Sequence, residues 1–322
     1  MASQSTSPEP ITLHDRTLVS VIVPSFNQGR FIGETITSAL TQDYRPIEVL
    51  VLDGGSKDET LRVLEGFSGA AELKVWSEPD DGVVDAVNKG LQKARGEILA
   101  IQNSDDVYVS GAITAAVDAL HAHTEAGLVF GDIEHIDDQS RVTGRDVLPA
   151  FSLAEYLGRL TYIPQPSAFF RAAAARSVGG WRAEVSYAAD ADYWIRIALQ
   201  YPVIKLDRIM ARYRYHPGQR DKHFDRILRD WERMIRELPR DAVMSPKLER
   251  FARMGVHLAR YRYTPEANWA ARTRHLYRAA LANPGSIAHP AFPRRELFPG
   301  RTPVWAALSC IKRALGFRPR SG

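Results

Sequence analysis

Two adjacent carboxylates, Asp105 and Asp106, follow a short apolar run at residues 98–101. Their residue type and spacing make them the clearest candidates for chemistry in this chain. Adjacent carboxylates repel each other unless a cation or hydrogen-bond donors compensate their charge. Their oxygens suit Mg²⁺ or Mn²⁺, which often lie between one or two carboxylates and the phosphates of a substrate. The pair therefore predicts a divalent-metal site, and a helix N-cap followed by a solvated turn is the alternative.

A third carboxylate, Asp53, ends another apolar run and precedes Gly54 and Gly55. Its oxygens could accept hydrogen bonds from a base or a ribose, and the glycines would let a ligand approach the backbone closely. The alternative is a simple turn before a helix, because Ser56 and Glu59 have the spacing of a capping box.

These residues fall at the ends of predicted strands. Short β-branched runs alternate with amphipathic helical patterns, which predicts an α/β fold with a mostly parallel sheet flanked by helices. Ligands of such sheets bind beyond the carboxyl ends of the strands. We expect Pro24 to end the first strand. The predicted strands cover residues 19–23, 49–52, 74–77, 98–101, 128–136, 167–170 and 210–215.

The composition is that of a globular chain. Its 322 residues are 45% hydrophobic and 25% charged, which excludes disordered and collagen-like classes. No run of 18 apolar residues predicts a membrane-spanning helix, and no secretory signal is evident. A single cysteine, Cys310, excludes a disulfide framework and a cysteine-rich zinc module. These features predict a cytoplasmic protein.

Charge is distributed unevenly along the chain. Residues 1–220 carry 21 Lys and Arg against 29 Asp and Glu, whereas residues 221–322 carry 21 against 9. Such a division indicates regions with different roles. We expect a disordered lead-in over residues 1–17, an α/β domain over residues 18–220 and a basic helical region over residues 221–322.

The basic region has several interpretations. Arginines at helical spacing, such as Arg229 and Arg233, could form a solvated face. The region could instead lie on the inner face of a membrane, because residues 304–315 combine an apolar stripe with Lys312 and Arg313. The same segment could dock on the protein body or pair two copies into a homodimer. We expect no nucleic-acid binding, because no recognised module is present.

Four segments resemble, in order and spacing, the family 2 glycosyltransferases. The resemblance covers about residues 18–216 and implies a GT-A fold, a Rossmann-like mixed sheet flanked by helices, with a helical C-terminal extension. It also implies sugar transfer from a nucleotide-diphosphate donor with inversion. The third segment is most similar to non-processive members that build bacterial polysaccharides. The segments are VSVIVPSFNQ, VLDGGSKDET, EPDDGVVDAVNKGLQKARGEILAIQNSDD and AADADYWIRIA.

The resemblance implies a donor site. Asp53 matches an aspartate that takes the ring N–H of a pyrimidine, which favours a UDP-linked donor, with a dTDP sugar as the alternative. Asn103 begins the match to an Asp-x-Asp motif, where it replaces a common carboxylate and meets the ribose. Asp81 and Asp85 could instead form a solvated helix start. The implied donor-binding residues are Pro24, Phe26, Asn27, Asp53, Gly55, Asp81, Asp85, Asn88, Lys89, Asn103 and Ser104.

The resemblance also implies a metal site and an acceptor site. Asp105 would hold Mn²⁺ or Mg²⁺ with help from Asp106, and His216 would reach the metal or the diphosphate unless it is only a surface residue. Asp190 takes the place of the catalytic base, and Asp192 would cap the same helix or share that role. Gln165 and Trp181 fall where acceptor-side loops lie, although Trp181 could equally belong to the core. These residues complete the implied site: Asp105, Asp106, His216, Asp190, Asp192, Gln165 and Trp181.

Other classes fit less well. A dehydrogenase would carry G-x-G-x-x-G after the first strand, and a P-loop enzyme would carry G-x-x-x-x-G-K-[ST]; the sequence has neither. A processive synthase would add membrane helices and a Gln-x-x-Arg-Trp motif. The expected function is sugar transfer to a hydroxyl of a glycan or lipid-linked acceptor. A non-catalytic sugar-binding relative and a sugar nucleotidyltransferase remain as alternatives.

Overall fold

Nine strands of the described chain form one mixed sheet in the computed structural model. The structure describes residues 17–217, 219, 223–238 and 244–297. The central strands are rich in Val, Ile and Leu because both of their faces are buried. The strands are β1 (Val19–Ser25), β2 (Ile47–Asp53), β3 (Leu73–Ser77), β4 (Ile98–Ile101), β5 (Val107–Tyr108), β6 (Leu128–Ile136), β7 (Val142–Asp146), β8 (Phe169–Arg171) and β9 (Val203–Arg214).

The strand order brings the polar strand ends to one edge. The order is β3-β2-β1-β4-β8-β6-β9-β5, and β7 pairs with β6. The strands β3, β2, β1 and β4 are parallel neighbours, so the residues after Ser25, Asp53 and Ile101 lie side by side. The strands β8, β5 and β7 pair in the antiparallel sense. The predicted α/β class is confirmed, and the polar ends of β1, β2 and β4 lie at one edge of the sheet.

The described residues form ten α-helices. Contacts between residues divide the chain into two units. Unit 1 holds the whole sheet and comprises residues 17–148, Ile163–Ala183 and Arg196–Pro217. The helices are α1 (Ile32–Leu40), α2 (Thr60–Glu65), α3 (Val83–Lys93), α4 (Ala112–Ala122), α5 (Leu153–Leu157), α6 (Ala172–Val178), α7 (Ala189–Ala198), α8 (Phe224–Glu237), α9 (Pro246–Tyr263) and α10 (Trp269–Ala282).

Unit 2 comprises Pro149–Tyr162, Glu184–Ile195 and the described residues from 219 onward. Its core is formed by α9, α10 and the segment after α5, with Met254, Leu258 and Leu276 buried. A single cut near residue 221 therefore does not separate the contact units, because Pro149–Tyr162 and Glu184–Ile195 also belong to unit 2. The boundaries at residues 17 and 220 remain predictions.

Pro24 does not end β1, contrary to the sequence-based expectation. The strand continues to Ser25, and Pro24 pairs with Leu52. The main-chain groups of Ser25 face β2, where the Ser25 carbonyl accepts from Gly54 N–H, so those of Pro24 face β4. Pairing with β4 ends at Ile22, so the missing N–H of Pro24 removes no sheet hydrogen bond.

A glycine lets α3 approach the sheet closely. A side chain at Gly90 would place its Cβ 2.3 Å from Ile22 Cγ2, so only glycine fits here. The Ile22 side chain lies on the opposite face of β1 from Val21 and Val23, which pack in the core with α1 and α4. The sheet is thus covered on both faces, and α3 carries its polar first turns to the strand ends.

Two of the sequence-based expectations concern residues that the structure does not describe. They are the disordered lead-in, of which only residue 17 is described, and the basic amphipathic segment at residues 304–315. None of the helices that the structure describes is long and apolar enough to cross a membrane.

Candidate active site

A carboxylate and an imidazole meet beyond the ends of β4 and β9. Asp105 Oδ2 lies 2.9 Å from His216 Nε2, and the two side chains are 14% and 10% exposed. The His216 ring packs against Phe31, with the ring centroids 4.8 Å apart. Sequence positions 111 residues apart are therefore brought together as the metal-site prediction requires.

Asp106 points away from this pair. It is fully buried, and its Oδ1 accepts from Arg214 N–H at 2.9 Å while its Oδ2 accepts from Asn103 Nδ2 at 3.0 Å. Burial, and next the charge of Asp105, raise the pKa of the Asp106 carboxyl well above its ordinary value. One oxygen binds the main chain of β9 and the other binds Asn103, so the geometry gives no support to a metal role for Asp106.

Arg214 is a site residue that sequence analysis missed. Its guanidinium is fully buried and donates to the Asp105 carbonyl at 2.8 Å and to Glu34 Oε2 at 2.6 Å. It also lies over the Phe31 ring, 4.8 Å from the centroid. The sequence offers no local signal for this role, because Arg214 acquires these partners through tertiary packing. Arg214 therefore holds the Asp105 loop and the Phe31 surface together.

We expect Arg214→Met to lower the free energy of unfolding by about 3 kcal/mol, because the hydrogen bonds of a fully buried guanidinium to Asp105 and Glu34 are lost. Arg212→Met is the matched control on the same strand. Its half-exposed pair with Glu134 should contribute less than about 1 kcal/mol. Urea denaturation measures both variants, and equal losses would contradict the role assigned to Arg214.

Asp53 is buried, 2% exposed, at the end of β2. Its Oδ2 accepts from Gly55 N–H at 3.2 Å, Ser56 N–H at 3.0 Å and Ser77 Oγ at 2.6 Å, and its Oδ1 accepts from Ser56 Oγ at 2.5 Å. Three of these four bonds fall on Oδ2, so Oδ1 keeps about one acceptor site. Asp53 thus joins β2, β3 and the loop that carries Gly55.

Ser56 serves this network rather than a helix cap. Its hydroxyl accepts from Asn27 N–H at 2.7 Å while donating to Asp53. The helix α2 begins later, at Thr60, without a side-chain cap from Glu59. The capping-box prediction is wrong because the stronger partner of Ser56 is the buried carboxylate.

Asp80 stands beside Gly54 and was not among the predicted site residues. A Cβ at Gly54 would lie 2.8 Å from Asp80 Oδ2, so glycine makes room for this carboxylate. Asp80 Oδ1 accepts from Gly82 N–H at 2.8 Å, and the side chain is only partly buried. The end of β2 therefore presents an accessible carboxylate that comes from the loop before α3.

The first turns of α3 carry a paired lysine. Lys89 Nζ lies 3.1 Å from Asp85 Oδ2 and 3.2 Å from Glu78 Oε1. The hydrogen bond from Lys89 is the main cause that lowers the pKa of Asp85. Lys89 also lines a small cleft with Asp53 and Asp80, whereas Asp81 is exposed. The predicted donor-binding residues of α3 thus lie next to the end of β2.

Asn88 and Trp181 are joined by two hydrogen bonds. Asn88 Nδ2 donates to the Trp181 carbonyl at 2.9 Å, and Trp181 N–H donates to Asn88 Oδ1 at 2.8 Å. Trp181 is 8% exposed, which fits the core alternative better than stacking on a sugar. Gln165 is also engaged, because its Nε2 donates to the Ile101 carbonyl at 2.7 Å. These amides position loops rather than face open space.

The loop after β1 presents an aromatic ring. Phe26 is 57% exposed at the strand end, whereas Pro24 is buried. Asn27 adopts a left-handed backbone, and its Oδ1 accepts from Lys57 N–H at 2.8 Å. The loop is held by Asn27 while Phe26 is left accessible, as a stacking role requires. Ser104 is buried after β4.

Asp190 and Asp192 lie in the first turn of α7 and belong to unit 2. Asp190 is partly exposed, whereas Asp192 is 2% exposed. Burial, and next the charge of Asp190, raise the pKa of the Tyr156 hydroxyl well above its ordinary value, so Tyr156 lies near Asp190. Of the two aspartates, Asp190 is the one accessible to a ligand of unit 2.

The ligand atoms of Asp105 and His216 suit a divalent cation that has further ligands from another source. A carboxylate oxygen and an imidazole nitrogen at 2.9 Å are both acceptable to Mn²⁺, and the imidazole favours Mn²⁺ over Mg²⁺. In the described part of the chain, no group of three or more His, Cys, Asp or Glu side chains is arranged to hold a metal. The residues therefore fit a partial metal site that phosphate oxygens would complete.

Comparisons with known proteins identify the family. A family model described as glycosyl transferase family 2 matches residues 20–179. An uncharacterized glycosyltransferase of Mycobacterium tuberculosis is 34% identical over 185 residues, 56% of this chain and 69% of that protein. An uncharacterized glycosyltransferase of Rickettsia conorii is 27% identical over 254 residues, 73% of this chain but only 41% of that protein.

Solved structures share the fold. TarS of S. aureus, residues 1–349 with UDP-GlcNAc, superposes with a TM-score of 0.64 at 19% identity, covering 86% of this chain and 82% of that one. The mannosyltransferase PcManGT from Pyrobaculum calidifontis, with GDP-Man and Mn²⁺, gives 0.61 at 22% identity, covering 94% and 81%. The expected GT-A architecture is thereby confirmed.

Proposed function

The chain belongs to glycosyl transferase family 2, and on that premise we propose that it transfers a sugar from a nucleoside diphosphate donor to a hydroxyl group. The acceptor we propose is a glycan or a lipid-linked sugar. The reaction would take place in the cytoplasm or on the inner face of a membrane. The donor we favour carries UDP, with dTDP as the alternative, because carboxylates at the β2 end suit a pyrimidine N–H.

One observation carries this proposal. Asp105 and His216 meet at the same sheet edge as the accessible Phe26 ring and the Asp80 carboxylate. Neighbouring strands lie about 4.8 Å apart, so the ends of β2 and β4, on either side of β1, are separated by about 10 Å. That distance suits a base at one end and a diphosphate at the other.

The residues that would hold Mn²⁺ or Mg²⁺ are Asp105 and His216, with the donor diphosphate completing the site. A bound divalent cation supplies Lewis-acid stabilisation of charge on the departing diphosphate. Arg214 fixes the Asp105 backbone, so the carboxylate needs little reorganisation when the donor binds.

We propose, from the motif, that Asp190 removes the proton of the acceptor hydroxyl as that oxygen attacks the anomeric carbon. The bond to the diphosphate breaks on the opposite face, so a single displacement inverts the configuration. No covalent nucleophile on the protein is needed for this scheme. Asp192 is buried and would support the start of α7.

We further propose that the two carboxylates at the end of β2, Asp53 and Asp80, have different roles. Asp53 is buried, already accepts four hydrogen bonds and would hold the loop around Gly55, whereas the more accessible Asp80 would accept the N–H of the base. Phe26 would stack on that base. The sequence-based assignment of the base contact to Asp53 alone stays a prediction, and the two carboxylates can be separated by substitution.

Asp80→Asn is expected to weaken UDP binding about 10-fold, because an accessible carboxylate acceptor is replaced by an amide. Asp53→Asn should instead lower the melting temperature, since a buried amide cannot accept all four bonds. Isothermal titration with UDP and thermal unfolding measure the two effects. If the Asp80 variant binds UDP with unchanged affinity, Asp53 and not Asp80 contacts the base.

The function is tested by turnover. Full-length protein with Mn²⁺ is incubated with UDP-, dTDP- and GDP-sugars and a panel of lipid-linked and free glycan acceptors, and nucleoside diphosphate release is measured. We expect acceptor-dependent release from a pyrimidine donor, with an inverted product anomer by NMR. Donor binding without release would favour a non-catalytic relative. Formation of a nucleotide sugar from a nucleoside triphosphate and a sugar phosphate would favour a nucleotidyltransferase.

A further inference from the structure

A groove of about 930 Å³ lies within unit 2 between α8, α9 and α10. It is remote in sequence from the strand-end residues, and the proposed transferase activity does not use it. Arginine side chains contributed by all three helices line its walls, and His257 belongs to the same lining. The arginines are Arg236, Arg250, Arg253, Arg260 and Arg278.

The positive charge of the groove is poorly balanced. Glu232 is the one acidic residue of the lining, and its carboxylate is taken by Arg260 Nε at 2.6 Å. The guanidinium groups of the other four arginines of the lining form no ion pair or hydrogen bond with any residue that the structure describes. Like charges gathered on one surface raise its potential and attract anions. The groove is therefore arranged for a negatively charged ligand.

Two histidines, one of them in the lining, have ring nitrogens without hydrogen-bond partners among the described residues. The rings of His257 and His275 stack with their centroids 6.0 Å apart, and both Nδ1 atoms are buried without a hydrogen-bond partner. Burial, followed by the charges of Arg260, His275 and Arg278, lowers the pKa of His257 to about 4, against a weaker effect of Glu232. A neighbouring anion would offset these positive charges and raise that pKa.

The groove is also partly apolar. Ile235 and Val256 belong to the lining, and Leu281 stands at its side with 78% of its surface exposed. Exposed apolar surface beside unpaired arginines matches an amphiphile, with a phosphate next to a hydrocarbon chain. A free phosphate would leave this apolar part of the lining unused.

We propose that the groove of α8, α9 and α10 binds the phosphate headgroup of an anionic lipid. The arginines contact the phosphate oxygens, and the apolar lining receives the first part of the acyl chain. The bound lipid attaches unit 2 to a membrane surface at a defined site rather than through diffuse charge.

Vesicle binding tests the site. Full-length protein is sedimented with vesicles of phosphatidylcholine alone and of equal parts phosphatidylcholine and phosphatidylglycerol. The groove variant is Arg250→Gln/Arg253→Gln, and the matched control is Arg229→Gln/Arg274→Gln, which removes the same charge from exposed arginines outside the lining. All four side chains are exposed, so both variants should keep the wild-type melting temperature.

We expect the groove variant to bind phosphatidylglycerol vesicles about 30-fold more weakly, as two lost arginine contacts imply. The control should lose no more than about threefold, because its exposed arginines lie outside the lining and would make no specific contact with the headgroup. Equal losses in the two variants, or binding that does not depend on phosphatidylglycerol, would overturn the proposal.

A soluble probe separates a lipid from free phosphate. NMR follows the titration of His257 with short-chain phosphatidylglycerol below its micelle concentration and, in parallel, with glycerol 3-phosphate. The lipid should raise the pKa of His257 from about 4, and glycerol 3-phosphate should raise it much less at the same concentration. An equal rise with both compounds would overturn the lipid assignment, and no rise with either would overturn the site.

Discussion

Asp190→Asn is expected to reduce kcat by about 10²–10⁴-fold, because the acceptor hydroxyl loses its general base. The substitution keeps the shape of a partly exposed side chain on α7. UDP binding should be unchanged, since Asp190 belongs to unit 2 and the residues assigned to the donor belong to unit 1. Steady-state kinetics with the best donor and acceptor, together with UDP titration, measure both quantities.

Asp192→Asn is the matched control for this prediction. It lies two residues further along the same helix and is 2% exposed, so its loss should appear mainly as a lower melting temperature. If the Asp192 variant loses turnover while remaining folded, and the Asp190 variant does not, the base is Asp192. Full activity in both variants would contradict the proposed mechanism.

Asp105→Asn is expected to abolish the effect of Mn²⁺ on UDP binding and to lower kcat/KM by about 10²–10³-fold. The amide keeps one oxygen but loses the charge that holds a divalent cation near the departing diphosphate. His216 would remain as a single weak ligand. Titration of UDP with and without Mn²⁺ measures the first effect, and initial rates measure the second.

Asp138→Asn serves as its control. That carboxylate is 39% exposed in a surface pair with Arg30, outside the Asp105–His216 pair but in the same unit. It should leave both the metal effect and the rate within about twofold of wild type, as expected for an exposed ion pair. A metal effect that survives in the Asp105 variant would show that the cation is held elsewhere.

The sheet could be predicted because its strands are short runs of β-branched residues with distinct polar ends. The predicted strand at residues 98–101 coincides with β4, and that at residues 128–136 coincides with β6. The parallel order of β1, β2 and β4 then explains why Asp53 and Asp105 lie at one edge. Local periodicity was sufficient for this part of the fold.

The hydrogen-bond partners at the site could not be predicted from local pattern. Asp53 and Ser56 have the sequence of a turn and a cap, yet they bond to each other, and Asp53 also bonds to Ser77 on the neighbouring strand. Pro24 has the sequence of a strand end, yet it lies where β1 has no partner for its nitrogen. Each outcome depends on which strand is the neighbour.

Arg214 and Asp80 show a second limit. Arg214 belongs to β9, whose neighbours β6 and β5 come from distant parts of the sequence. Asp80 acquires its place through the absence of a side chain at Gly54. Neither contact has a local sequence signal, because both arise from tertiary packing around a glycine or a buried charge.

The central claim is that the sheet edge binds a nucleoside diphosphate together with a divalent cation. The most direct test is the melting temperature of the full-length protein with UDP, dTDP, GDP, CDP and ADP, each with and without Mn²⁺, since a ligand of the folded state raises it. We predict a Mn²⁺-dependent rise with UDP or dTDP that exceeds the rise with the purine nucleotides. No rise with any nucleotide, with or without Mn²⁺, would contradict the claim.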